Sequence, residues 1–213
     1  MLGGIIASRE AALAYVADYP LEDESLLAAR RRAEEFGAEP VTADTGAALR
    51  LLAAAIDARA VVEIGTGCGV SGLWLLRGMR ADGILTTVDV EPEHQRLARE
   101  VFTGAGFAAN RMRLIGGRAM DVLPRLTDGG YDLVFCDAAR REYAEYLAEA
   151  LRLLRPGGVL VVDDALDGAA EPARGDAEAK AVREMVAAVR EDEKLIPALL
   201  PTAPGLLTAV KRP

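Results

Sequence analysis

From about residue 60 onward the chain alternates short apolar runs with amphipathic stretches, and this alternation narrows the possible folds more than any other feature. The runs are AVVEI, ILTTVDV, MRLIGG, YDLVFCD and GVLVVDD. Between them lie VSGLWLLRGM, PEHQRLAREVFTGAG, AMDVLPRL and RREYAEYLAEALRLL. Strands separated by helices of this length join in parallel, and the helices cover both faces of the sheet. The helix between the fourth and fifth runs reads from Arg141 to about Leu154, stopped by Pro156-Gly157-Gly158. After a helix from Asp176 to Arg190, KLIPALLP and GLLTAVK read as two strands joined by a short Pro/Gly turn, hence antiparallel to each other. Pro197 has no N–H to give a ladder, so it confines the first of these to an edge or a bulge.

Before residue 57 the pattern is helical. Leu26, Leu27, Arg30 and Ala33 recur at helical spacing after Asp23 and Ser25, which are good caps, and Gly37 closes that helix. EPVTAD is a break, and Asp44 is expected to cap TGAALRLLAAAI. No repeat or linker interrupts the 213 residues, a length that suits one α/β domain. The expectation is a single domain over 1–213, with N-terminal helices (1–57) over the ligand site and an α/β core (60–213).

Composition removes other classes. Half the residues are hydrophobic (51%), enough for a packed core. No apolar run approaches the roughly 20 residues of a membrane span, and MLGGIIAS lacks the basic start of a signal peptide. Cys68 and Cys136 sit in apolar or Gly-rich contexts, which suits a reducing cytoplasm. A net charge of −8 argues against a general grip on nucleic acid, although Arg30 to Arg32 make a local basic patch. The chain has 22 arginines and only three lysines, so Arg will stand where other chains have Lys.

In an open parallel sheet the ligand lies beyond the carboxyl ends of the strands. After the first run comes Glu63-Ile64-Gly65-Thr66-Gly67-Cys68-Gly69-Val70-Ser71-Gly72. Its glycines permit a tight turn and let a ligand approach backbone N–H groups at a helix start. Gly67 to Gly72 also satisfies G-x-G-x-x-G, a nicotinamide signature. The register of Glu63, Gly65 and Gly67, however, is that of S-adenosylmethionine (SAM) binding. Asp89, about 20 residues on, can take the two hydroxyls of a ribose, while Glu91 and Pro92 begin the next helix.

Asp137 ends the fourth run, and Asp163 with Asp164 ends the fifth. A right-handed crossover makes those strands parallel neighbours about 4.8 Å apart, so three carboxylates converge beside the cofactor. Like charges this close raise each other's pKa values. A hard divalent cation such as Mg²⁺, which takes oxygen ligands, resolves the conflict.

With these residues in place the chain resembles the cation-dependent SAM O-methyltransferases, the catechol and caffeoyl-CoA group with their small bacterial relatives. The resemblance runs from about Val41 to the C-terminus through VVEIGTGCGVSG, TTVDVEPEH, VLPRL, VFCDAARREYAEY and LLRPGGVLVVDDAL. The family motif D-x-x-K-x-x-Y-x-x-Y is matched at Asp137, Tyr143 and Tyr146. The resemblance implies a Rossmann-like fold, a seven-stranded, mostly parallel sheet with an antiparallel last strand, and a homodimer. It also implies that Val41, Glu63, Gly65 and Ser71 hold the methionine end of SAM and Asp89 the ribose, with Ala119 near the adenine. Thr66, Gly67, Val90, Gly117 and Asp137 complete the cofactor site. Asp137, Asp163 and Asp164 are the implied metal ligands, and a small hydroxylated molecule is the implied substrate.

Four positions depart from the family pattern. Its Lys, the proposed base, is Arg140, which stays protonated and can only orient an oxyanion or a carboxylate. Its Asn ligand is Asp164, which could accept the substrate proton. A Trp is replaced by Asp167. The acid that catechol methyltransferases carry near the last hairpin has no counterpart in PTAPG. Arg140 and Asp164 are thus the candidate catalytic residues. His94, in the first turn after Pro92, reads as an exposed polar residue, and Trp74 reads as core. Three alternatives stand beside the leading one: a non-catalytic or metal-independent SAM binder, a methyltransferase of hydroxylated tRNA bases, and a nicotinamide dehydrogenase. The walls expected from residues 164–176 and 199–205 hold no aromatic residue, which favours a polar or cationic guest over a flat apolar one.

Overall fold

The computed structural model describes residues 8–166 and 176–213. Three helices come first: α1 (Arg9–Asp18), α2 (Glu24–Glu35) and α3 (Ala43–Ala55). The alternating part follows as β1 (Ala60–Ile64), α4 (Val70–Gly78), β2 (Ile84–Asp89), α5 (Pro92–Gly104), β3 (Met112–Gly116), α6 (Ala119–Val122), β4 (Tyr131–Cys136), α7 (Tyr143–Leu153) and β5 (Leu154–Val162). Then come α8 (Ala177–Glu191), β6 (Leu195–Leu200) and β7 (Leu206–Lys211). All seven apolar runs are strands of one sheet, in the order β3-β2-β1-β4-β5-β7-β6.

Strands β1 to β5 pair in parallel, and β7 runs against both β5 and β6. β6 is an edge, as Pro197 requires. The chain winds outward from β1 to β3, then returns to begin again at β4. The carboxyl ends of β1 and β4 therefore flank the switch point, where a crevice opens.

The period-2 alternation divides the core. Val61, Leu133, Phe135, Val159 and Val161 face the layer of α3 and α4. Val62, Val134, Cys136, Leu160 and Val162 face the layer of α7 and α8. Full burial of each such side chain contributes about 1.5–3 kcal/mol. At Gly46 of α3 an added Cβ would lie 2.3 Å from the Trp74 ring of α4, so only glycine lets these helices meet so closely. Trp74 is core, as expected. At the far end of the sheet Asp132 accepts from the backbone N–H of Arg59 and Ala60 (2.7 and 2.8 Å) and from Arg155 Nε (2.6 Å), tying β1, β4 and β5 together.

Two boundary expectations are corrected. α7 stops at Leu153, and Pro156-Gly157-Gly158 lies inside β5, where the pairing with β4 shifts register between Tyr131 and Leu133. The cap of α3 is Thr42, whose side chain accepts from Thr45 N at 3.4 Å. Asp44 is instead a buried residue of the first helical turn.

Candidate active site

β1 ends at Ile64, and Gly65 turns the chain over the end of β4. Its φ is +98°, and a Cβ there would sit 1.8 Å from the Asp137 carbonyl oxygen. Gly67 and Gly69 also have positive φ, and Gly69 is the N-cap of α4. The loop is fastened from the next strand. Asp89 Oδ2 accepts from Thr66 N and Gly67 N (3.0 and 2.9 Å), and its Oδ1 accepts from Glu91 N (2.9 Å). His94 stands 3.5 Å from Asp89 and is four-fifths buried, so its expected place as an exposed polar residue is corrected.

Behind the loop Glu63 is completely buried. Ser71 Oγ donates to Glu63 Oε1 (2.7 Å) and Thr87 Oγ1 to Oε2 (2.6 Å). Thr66 Oγ1 lies 2.7 Å from Thr87 Oγ1 and receives Gln95 Nε2 at 2.8 Å. A relay of hydroxyls therefore runs from Gln95 to Glu63. Burial, against those two hydrogen bonds, pushes the Glu63 pKa up to about 7.

These elements enclose a cavity of about 340 Å³. Val41, Gly65, Thr66, Gly67, Ser71, Asp89, Val90, Gly117, Ala119 and Asp137 all line it. Of the residues expected around a cofactor, Glu63 alone stands behind the wall, reaching it through Ser71. His94, Arg118, Glu142 and Tyr146 also line the cavity and were not foreseen as cofactor neighbours.

The strand-end acids lie beside it. Burial, then the neighbouring charges of Asp163, Asp164 and Glu63, hold the Asp137 pKa well above the usual carboxylate range. Burial raises Asp163 to about 7, with Asp164 and Asp44 adding to the shift. Asp163 is 3% exposed and its Oδ1 has no hydrogen-bond partner among the described residues. Tyr143 OH reaches the Asp163 carbonyl at 3.4 Å.

Asp164 differs from its neighbours. It has φ +59°, a left-handed conformation that Asp and Asn tolerate better than most residues. Its Oδ2 is held by Arg140, through Nη2 at 2.5 Å and Nε at 3.2 Å. Arg140 therefore orients a carboxylate, one of the two roles left open to it. Asp167, the position of the missing aromatic wall, lies outside the described residues.

The donor set fits a hard cation in part. Asp137 and Asp163 are two crowded, buried carboxylates, one with an unpartnered oxygen, and Mg²⁺ commonly takes one or two carboxylates and fills its remaining positions with water and substrate. Asp164 is already engaged by Arg140 through Oδ2. Among the described residues no three acidic, histidine or cysteine side chains stand grouped to hold a metal ion, so the expected three-carboxylate set is not assembled here.

Comparison with known proteins agrees with this geometry. A family model described as O-methyltransferase matches residues 22–212, and the chain belongs to that family. A Mycobacterium tuberculosis H37Rv protein named "Probable O-methyltransferase Rv1220c" is 55% identical over 192 residues, covering 89% of this chain and 86% of its own. The O-methyltransferase TomG of Streptomyces achromogenes, involved in tomaymycin synthesis and solved with SAM, superposes with a TM-score of 0.83 at 32% identity, over 94% of this chain and 95% of that one. A Bacillus cereus O-methyltransferase solved with S-adenosylhomocysteine (SAH) has the same TM-score at 25% identity, over 95% and 97%.

Proposed function

We propose that the protein is a SAM-dependent O-methyltransferase that moves a methyl group to a hydroxyl of a small molecule. The observation that carries this reading is the cavity at the β1/β4 switch point, with the glycine loop and Asp89 on one side and buried carboxylates on the other. SAM, when bound, supplies an activated methyl on a sulfonium. Asp89 holds the ribose through Oδ1, which accepts only from Glu91 N and keeps a further lone pair, whereas Oδ2 already accepts from Thr66 N and Gly67 N, and Val41, Gly65 and Ser71 border the methionine end. Glu63 keeps Ser71 and the loop in place from behind. The chain's main work is positioning, holding donor and acceptor in line at near-attack distance.

Asp137 and Asp163 would hold a divalent cation, whose charge would favour ionisation of a nearby acceptor hydroxyl. Arg140, always protonated, cannot act as the base, which leaves Asp164 as the carboxylate that would receive a proton. Homodimer formation belongs to the same proposal, and light scattering tests it. Arg30 and Arg32 are engaged by Glu22 and Glu100, which weighs against the nucleic-acid reading. No described helix is long and apolar enough to cross a membrane.

The test is a calorimetric titration of Mg²⁺ into protein saturated with SAH, repeated with Asp163→Ala. Tight SAH binding and saturable Mg²⁺ binding lost in the variant are the expected results. Failure to bind SAH would overturn the methyltransferase reading. SAH binding without Mg²⁺ binding would remove the metal and leave a metal-independent enzyme or a non-catalytic binder.

A further inference from the structure

A second cavity, of about 350 Å³, shares no lining residue with the first. It lies at the carboxyl end of β5, bounded by Leu13 and Ala17 of α1, by Leu166, and by the turn from Pro201 to Pro204. Its frame is fixed by backbone hydrogen bonds. Ala165 N and Leu166 N donate to Gly205 O and Pro204 O, both at 2.9 Å, and Thr42 Oγ1 donates to Ala203 O at 3.0 Å.

The walls are mostly apolar, and two polar side chains stand in them. Asp44 is 7% exposed and Thr202 is 9% exposed. Asp44 Oδ1 and Thr202 Oγ1 have no hydrogen-bond partner among the described residues. A buried polar atom left so costs about 1–3 kcal/mol, and a fold seldom keeps two in one pocket without something to meet them. The charge environment decides what that is. Asp44 lies near enough to Asp163 to act on it electrostatically, and Asp164 follows directly. A ligand carboxylate or phosphate would meet like charge. A positively charged donor would satisfy Asp44 and relieve the crowding at the strand ends.

We propose that this cavity is the acceptor site and that Asp44 is its specificity-determining residue, holding the protonated amine of a hydroxylated amine while Thr202 takes a second hydrogen bond. The inference rests on the O-methyltransferase reading for the fate of the hydroxyl, and on the two unpartnered polar groups for the amine.

The experiment uses three matched probes: dopamine, 4-ethylcatechol and 3-(3,4-dihydroxyphenyl)propanoic acid. They share one ring and carry an amine, no charge or a carboxylate. Each is titrated by calorimetry into SAH-saturated protein with Mg²⁺ present, and each is offered with SAM in a methyl-transfer assay. Dopamine should bind at least about tenfold more tightly than the neutral probe, the scale of a hydrogen bond to a charged group. That advantage should vanish in Asp44→Asn and shrink in Thr202→Val, with SAH binding reporting that both variants are folded. Equal affinities, no binding of any probe, or an amine preference that survives Asp44→Asn would each overturn the inference. Methyl transfer without amine preference defeats this inference alone. Amine preference lost in Asp44→Asn but without methyl transfer sustains the site and defeats the proposed reaction.

Discussion

Glu63, the next-to-last residue of β1 before the glycine loop, and Asp44, in the first turn of α3, are both carboxylates with less than a tenth of their surface exposed. Both oxygens of Glu63 accept hydrogen bonds from hydroxyls at 2.6–2.7 Å, and those hydroxyls belong to a relay reaching Gln95. Asp44 has an oxygen that nothing in the described protein meets, and Thr202 across its cavity has the same condition. The first carboxylate has both oxygens met within the protein and presents a finished wall. The second is incomplete without a guest. A buried acid therefore carries different information according to whether its hydrogen bonds close within the protein.

The sharpest way to break the finished wall is Gly65→Ala. The new Cβ would strike the Asp137 carbonyl at 1.8 Å, and φ would still be +98°. We expect a stability loss of at least about 3 kcal/mol and SAH affinity reduced by 100-fold or more. Urea unfolding and calorimetry measure these, and near-wild-type behaviour would mean that the loop is not held as described.

A paired substitution compares the two regions directly. Thr87→Val should cost roughly 2–3 kcal/mol, because it strips a donor from buried Glu63. Thr202→Val, of similar shape, should cost nothing or stabilise the apoprotein by up to about 1 kcal/mol, because its hydroxyl has no partner to lose among the described residues. Equal losses in the two variants would erase the distinction.

Acid titration sharpens it further. The folded protein holds the Glu63 proton up to about pH 7, whereas the unfolded chain releases it near 4.5. Between those values the folded state binds more protons, so stability falls as pH rises, and the loss is complete above about 7. Asp163, also raised to about 7, acts in the same direction. Urea unfolding of the apoprotein from pH 5 to pH 8 should show the decline, and Glu63→Gln should reduce it by on the order of 2 kcal/mol. A stability that rises over that range would contradict the burial argument.

The smallest effect is expected from Arg140→Lys. If Arg140 serves to hold Asp164, a lysine keeps the charge but gives up the grip through both Nη2 and Nε, and kcat should change by less than about tenfold. A gain of several orders of magnitude would show that a base was missing.

The strands, the reversed last strand and the glycine loop could be read from the amino-acid string, because each depends on local order: apolar runs of strand length, a proline at an edge, glycines after a strand. The limits of α7 could not be read that way. Pro156 and the glycines after it look like a helix stop, and only pairing with β4 shows that β5 already contains them. Thr42 and Asp44 are both good caps, and their choice turns on a two-residue difference in where the helix begins. The role of Asp44 needs long-range geometry, since Asp163, Thr202 and α1 reach it from distant parts of the chain. Arg140 and Asp164 were each picked out as departures, but their mutual ion pair spans 24 residues and appears only in three dimensions.

Val41 borders the first cavity and Asp44 the second, with Thr42 between them capping α3 and bound to Ala203. One short stretch of backbone thus borders both chambers. A ligand that settles Val41 would also settle the start of α3, and with it Asp44, so the two occupancies would be coupled. By thermodynamic linkage, whatever factor the first guest adds to the second one's affinity is returned to it in equal measure.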